Sequence, residues 1–446
     1  MKRTTDMTLG SPIKLILTFA FPLILANLGQ QLYMMIDAVI VGRGVGVHAL
    51  ASVGATDWCY WLILWSIYSI TQGFATFVSR YFGEKNFAAM NKTIAMSVIL
   101  CALIGSVLTV LGIVVARPLL VLLNTPADII DGAVTYLITL VSGSIIVMMY
   151  NMTASILRAL GDGKTPLIAM IIAAVLNIAL DLLFVFVFHW GIFGAALASV
   201  ISQTVSFVVC LISVIKVECI HLSRETFRLD LPLIKSMLLF GMPLMAEYFL
   251  ISFGGIILQS AINLQGSAFI AGYTATNKIY GLLESSAVSL GLACCTYFAQ
   301  NFGAKNHARI HKGARDAFWV LIAMAAVSMT ITGLFRQPIM QLFLDVSQEG
   351  GIDALGIAIH YLTIILICLP LLYLIHLYRN LLQAIGVAKW SLISGFAEFV
   401  VRVLMSMVVI RWLGSDALFV AEPLAWLGAL LCVMLPYFYY RKTRLK

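Results

Sequence analysis

The sequence predicts an all-α polytopic membrane protein, with twelve transmembrane helices in two pseudo-symmetric six-helix lobes around a central cavity. Three observations carry that expectation. The 446 residues are 61% hydrophobic and 11% charged, with a mean hydropathy of +1.00. A soluble domain is roughly 45–50% apolar and about 25% charged, so no water-facing core can bury this much apolar surface and lipid must be the solvent. Apolar runs long enough to cross a hydrocarbon core of about 30 Å recur along the whole chain. Finally, the chain repeats itself. Phe82-Gly83-Glu84-Lys85-Asn86 returns as Phe302-Gly303-Ala304-Lys305-Asn306 at an offset of 220, Phe21-Pro22-Leu23 as Met242-Pro243-Leu244 at 221, and Ala159, Gly161 and Lys164 as Ala384, Gly386 and Lys389 at 225.

The spans are expected near 15–38, 55–78, 93–116, 130–157, 166–188, 192–215, 232–262, 268–299, 314–334, 354–382, 390–410 and 418–440. They read as helices because each run is continuously apolar, whereas a barrel shows short alternating strands. Span 1 carries Pro22 and span 7 carries Pro243 at the matching place; each removes a backbone hydrogen bond and kinks its helix. Basic loops at 79–92 and 301–316 join the second and third spans of each half. Span 5 carries Asn177 and Asp181, span 8 Lys278 and Glu284, span 10 Pro370, and span 11 Glu398 and Arg402. Residues 1–215 are expected to form the N-terminal lobe, 216–235 a cytoplasmic inter-lobe linker, and 236–446 the C-terminal lobe. Two such halves are a common plan for secondary transporters, which rock one lobe against the other around a midplane site.

The net charge of +8 does not point to nucleic acid, because of where the charge lies. With both termini cytoplasmic, the inner loops and tails hold 22 of the 28 Lys and Arg, with Lys2, Arg3, Arg158, Arg379 and Lys446 counted among them. The outer loops hold Arg43, Arg117, Arg336 and Arg411, and Lys278 and Arg402 lie deep within spans. That bias is the positive-inside rule, and it predicts a multi-pass protein of the cell membrane. No small-residue cleavage site follows the first apolar run, so a removed signal peptide is not expected. The eight cysteines show no Cys-x-x-Cys spacing, which supports neither a disulfide framework nor a zinc site. A Walker A sequence, His-Glu-x-x-His and Gly-x-Ser-x-Gly are all absent, so ATP drive and catalysis are not expected.

Ionisable groups deep in a membrane cost on the order of 2.5–3.5 kcal/mol on insertion scales and usually have a use. In the first half these are Asp37 and Asp181, with Asn177 one turn before Asp181 on the same helix face. Two carboxylates and an amide carbonyl suit a hard cation such as Na⁺. Equally, two close carboxylates can share one proton, because both resist being charged side by side. Asp57, beside Trp58 near the outer end of span 2, reads as interfacial. In the second half Glu398 and Arg402 are spaced to pair along one helix. Glu247, Lys278 and Glu284, with Tyr33 of the first half, are candidates for lining a substrate cavity, where carboxylates and aromatic faces attract organic cations.

The ordered set Pro22-Leu23-Ile24-Leu25-Ala26-Asn27, Gln30-Gln31-Leu32-Tyr33, Asp37, Val41-Gly42-Arg43, Arg158-Ala159-Leu160-Gly161-Asp162-Gly163-Lys164-Thr165-Pro166, Asn177-Ile178-Ala179-Leu180-Asp181, Gln259-Ser260-Ala261-Ile262-Asn263 and Gln300-Asn301-Phe302-Gly303-Ala304 resembles the multidrug and toxic compound extrusion (MATE) family. The resemblance covers essentially the whole chain. It implies a secondary active efflux antiporter that exports amphipathic, cationic organic compounds in exchange for Na⁺ or H⁺. It also implies no bound cofactor, no ATP, a monomer in membrane lipid, and a first-lobe cation site at Asp37, Asn177 and Asp181. Some members carry a Glu in span 7 about nine residues past its Pro; that place here is Ser252, which favours first-lobe coupling. The alternative is a lipid-linked oligosaccharide flippase of similar architecture. It requires a basic cavity, and two intramembrane cations are few for that. A membrane-embedded enzyme or receptor is the third class, and no catalytic constellation supports it.

Overall fold

The computed structural model describes residues 4–123, 125–344, 346–347 and 350–445, apart from the side chains of Val47 and Trp58. Lys2, Arg3, Lys446 and the Trp58 side chain, named above, lie outside the described residues. Among those described there is no β-strand. The helices are α1 (Pro12–Gly44), α2 (Val47–Gly83), α3 (Phe87–Leu122), α4 (Ile130–Ser142), α5 (Ser144–Ala159), α6 (Lys164–Asp181), α7 (Gly191–Ile215), α8 (Leu231–Asn263), α9 (Ser267–Gly303), α10 (His307–Leu334), α11 (Arg336–Gln341), α12 (Gly351–Ala384), α13 (Lys389–Leu404), α14 (Ile410–Leu413) and α15 (Asp416–Thr443). Among the described residues eleven helices are long and apolar enough to cross a membrane, or twelve when α4 and α5, bent by 45° at Gly143, count as one span. A side chain at Gly143 would run into Val200 of α7 at 2.9 Å, so only glycine lets the bend rest on that helix.

The chain packs as two compact units. One comprises the described residues up to Met7 with Phe21–Met245, the other Thr8–Ala20 with Ala246–Lys446. The division falls within α1 beside Pro22 and within α8 close to Pro243. The segment between α7 and α8 belongs to the first unit. Asn91 of α3 donates to Cys219 O at 3.2 Å and accepts from His221 N–H at 3.1 Å.

The sequence repeats correspond to repeated turns. After α2 and after α9 the chain turns through Lys85 (φ 58°) and Lys305 (φ 53°). Asn86 and Asn306 then cap the next helix, accepting from Ala89 N–H at 3.1 Å and Arg309 N–H at 3.2 Å. Such caps satisfy a helix N–H that otherwise has no partner. Asn86→Ala and Asn306→Ala are each expected to cost about 1 kcal/mol, read as a lowered unfolding midpoint in detergent. After α5 and α12, Gly161 (φ 79°) and Gly386 (φ 91°) make the left-handed turn that glycine permits. The fifth span of each unit contains a π-helical segment, Leu182–Val187 after α6 and Met405–Val409 between α13 and α14.

Candidate functional site

The first unit brings Asp37, Asn177, Asp181 and Tyr33 together. α1 supplies Tyr33 and Asp37 one turn apart. α6 supplies Asn177 and Asp181, and Asp181 is the last α-helical residue before the π segment. Widened turns of this kind recur at functional sites because they re-aim side chains. Asp181 is 0% and Asn177 1% exposed. The Asp37 and Asp181 carboxyls lie side by side, an arrangement in which one shared proton relieves their repulsion. Oriented so that both its ends are satisfied, the Asn177 amide donates to Asp181 Oδ2 at 3.2 Å and accepts from Ser199 N–H at 3.3 Å. In that orientation the N–H faces the carboxyl; in the opposite one Nδ2 donates to Ser199 Oγ at 3.3 Å. Asp37 Oδ1 and Asp181 Oδ1 are buried and meet no protein donor. Tyr33 lies beside Gln203 and in the field of both carboxyls. Tyr136 and Asp57 also lie near Asp37, with Tyr60 beside Tyr33.

A cavity of about 40 Å³ adjoins the pair, lined by Gln30, Tyr33, Tyr150, Asn177, Ser199, Ser202, Gln203 and Ser206 among others. Drug-sized sites run to about 300–1,000 Å³, so this one takes water or a small ion. Ser199, Ser202, Gln203 and Ser206 were not singled out from the sequence, although their helical spacing along span 6 is readable there.

The second unit is built differently. Glu247 of α8 meets Arg379 of α12 at 3.0 Å; Arg379 also meets Glu398 of α13 at 2.5 Å and donates to Ser394 at 2.7 Å. Glu398 meets Arg402 at 3.1 Å, the pairing along one helix expected from the spacing. Arg402 grips Glu422 of α15 at 2.7 and 3.0 Å and donates to Ile251 O at 3.2 Å. The whole ladder is buried except for Glu422, which is partly so. Gly395 lets α13 approach, since a Cβ there would lie 2.9 Å from the Glu247 side chain.

Two placements in the sequence reading are corrected. Arg379, counted with the inner-loop cations, lies within α12 and is buried, because two carboxylates meet it there. Arg158, counted likewise, is buried in α5, its Nη2 donating to Ser155 at 2.7 Å. Glu422 was not singled out, although it interrupts an apolar run. Glu247 is held in the ladder. Glu284 is partly buried and lies near Tyr280, Glu422 and Arg402. Lys278 is exposed on α9 and makes no ion pair within 4.0 Å among the described residues. At the 225-residue offset Asn177 corresponds to Arg402 and Asp181 to Ser406. The same span, containing the same π turn, thus carries an acid pair in one unit and an ion ladder in the other.

The sequence model of the MatE family matches residues 22–183 and 243–408, two segments whose ends are offset by 221 and 225. The chain is 28% identical to the probable multidrug resistance protein YoeA of Bacillus subtilis (strain 168), over 95% of this chain and 92% of that one. It is 27% identical to the probable multidrug resistance protein YpnP of the same organism, over 99% and 98%. Among solved structures, "Crystal structure of MATE in the bent conformation" is similar with a TM-score of 0.89 and 21% identity, covering 99% of this chain and 98% of that one. "Outward-facing conformation of a multidrug resistance MATE family transporter of the MOP superfamily" is similar with a TM-score of 0.89 and 22% identity over the same shares. A fold shared along nearly the full length, and a family model that matches both halves in register with the internal repeat, place this chain in the MatE family.

Proposed function

We propose that the protein is a multidrug efflux antiporter of the cell membrane that exchanges amphipathic organic cations for protons, and that Asp37 and Asp181 carry the coupling proton. The observation that supports this reading best is the close approach of the two carboxyls in the first unit, with the Asn177 N–H turned toward Asp181 in the orientation that satisfies both ends of the amide. A hard cation asks for oxygens all round; a carboxyl pair with an amide donor beside it suits a proton. Multidrug resistance is named for YoeA and multidrug export for a further relative, MepA of Staphylococcus saprophyticus. In this reading both termini are cytoplasmic. Taking up a proton changes the charge between α1 and α6, and that change favours the state that releases drug.

The test is dye efflux from proteoliposomes, with pH and Na⁺ gradients imposed separately, for the wild type and Asp37→Asn. A pH gradient is expected to drive efflux, a Na⁺ gradient alone is not, and Asp37→Asn is expected to lose the drive. Efflux under Na⁺ alone would replace the proton with Na⁺ at the same carboxyls. Absence of flux under either gradient would favour the lipid-linked oligosaccharide flippase.

A further inference from the structure

α7 turns a polar face into the first unit. Ser199, Ser202, Gln203, Ser206, Cys210 and Ser213 follow one another at steps of one to four residues, which puts them on one side of a helix. Ser202, Ser206, Cys210 and Ser213 are buried. The small cavity lies along the outer half of that face, between Ser199 and Ser206, with Tyr33 and Tyr150 also lining it. Tyr33 and Asn177 join it to the acid pair: both line the cavity, the Tyr33 hydroxyl lies in the field of both carboxyls and can pass a proton, and the Asn177 amide holds Asp181 in place. Ser202 Oγ and Gln203 Oε1 are buried there and meet no partner among the described residues, like the Oδ1 atoms of Asp37 and Asp181. Buried polar atoms as a rule find a partner, in protein or in water. A space of about 40 Å³ is enough for roughly two or three waters, and the unpartnered atoms supply their hydrogen bonds.

We propose that this cavity is a hydrated relay that moves the coupling proton between the Asp37–Asp181 pair and the inner part of α7, with Ser202 and Gln203 orienting its waters. The proposal rests on proton coupling at that pair. Each step breaks one O–H bond as the next forms; Ser202 can pass a proton on as well as hold water, and the Gln203 amide only holds water in place. Nothing is oxidised or reduced. The relay ends at Ser206 and Tyr150. Next along the face is Cys210, fully buried, with Arg158 and Asp162 near it. Tyr150 also lies in the field of Cys210 and Arg158. The guanidinium of Arg158 has a buried Nε without a partner and meets no carboxylate within 4.0 Å among the described residues. Arg158 does not line the cavity; its fixed charge near Tyr150 opposes an excess proton moving farther inward.

Gln203 and Ser202 are positioning residues, and the experiment asks for a change in rate rather than in driving force. Efflux driven by a pH gradient is measured in H₂O and in D₂O for the wild type, Ser202→Ala, Gln203→Asn and Gln203→Leu. Gln203→Leu is expected to slow efflux at least tenfold, to leave the final drug accumulation ratio set by the gradient, and to enlarge the D₂O slowing. Gln203→Asn is expected to restore most of the rate. Wild-type rates and an unchanged D₂O effect in Ser202→Ala and Gln203→Leu would overturn the relay while leaving coupling at the acid pair intact. Loss of the pH drive in Asp37→Asn separates the two, since it tests the pair and not the path. If Gln203→Leu does not fold, the D₂O effect in Ser202→Ala and Gln203→Asn decides the matter in the same way.

Discussion

Arg379→Met is expected to destabilise the second unit by about 3–5 kcal/mol, the cost of stranding a buried charge. The sign and size follow from counting the ladder. Three carboxylates, Glu247, Glu398 and Glu422, face two guanidinium groups, Arg379 and Arg402. Without Arg379, Glu247 is left buried with no cation, while Glu398 keeps only Arg402. Glu398→Gln is a milder change, because Arg379 keeps Glu247 and Arg402 keeps Glu422. It is expected to cost about 1–1.5 kcal/mol, the worth of its hydrogen bonds. The double variant Glu247→Gln with Arg379→Met removes the stranded charge and is expected to regain half or more of the loss. Unfolding midpoints of the purified variants in one detergent measure all three. Equal losses in Arg379→Met and Glu398→Gln would show that packing, not charge pairing, sets the stability here.

The ladder also marks where sequence reading stops. Asp37, Asn177 and Asp181 are legible because each interrupts an apolar run, and the four-residue spacing puts Asn177 beside Asp181. The repeated turns are legible for a similar reason: the Lys85 and Lys305 turns need particular backbone angles, and the Asn caps that follow need a side-chain acceptor, so local chemistry writes them twice. Arg379 is not legible. It stands near the end of an apolar run, where a cation ordinarily reaches the loop. Only its meeting with Glu247 on α8 and Glu398 on α13 keeps it inside, and no local signal reports a contact between distant helices. The π segments after Asp181 and after Leu404 are hidden as well, since one extra residue per turn leaves the apolar pattern intact. The orientation of the Asn177 amide depends on Ser199 N–H of α7, so the spacing alone could not separate a Na⁺ ligand set from a proton site.

Asp181→Asn is expected to uncouple drug binding from pH. The asparagine N–H can donate to Asp37 as a protonated carboxyl does, so the variant holds the pair permanently in its protonated charge state. Linkage then requires that the proton's effect on drug affinity disappear, because drug and proton act on one another reciprocally. For one linked proton the wild-type affinity changes by about tenfold per pH unit within the linked range; in Asp181→Asn and in Asp37→Asn it is expected to be flat. Binding of a fluorescent organic cation to purified protein, titrated at several pH values, reads this directly and does not depend on flux. Asn177→Ala is the informative contrast. It keeps both carboxyls but removes the donor to Asp181 Oδ2 and the acceptor for Ser199 N–H, a loss of about 1–3 kcal/mol when a buried group is left unmet. Its pH dependence is expected to persist with a displaced midpoint, because the proton is still shared and only its surroundings have changed. Should Asp181→Asn keep the full wild-type pH dependence, the shared proton would lie elsewhere, and Glu284 of the second unit, partly buried beside Tyr280 and near Glu422, would be the carboxyl to test next.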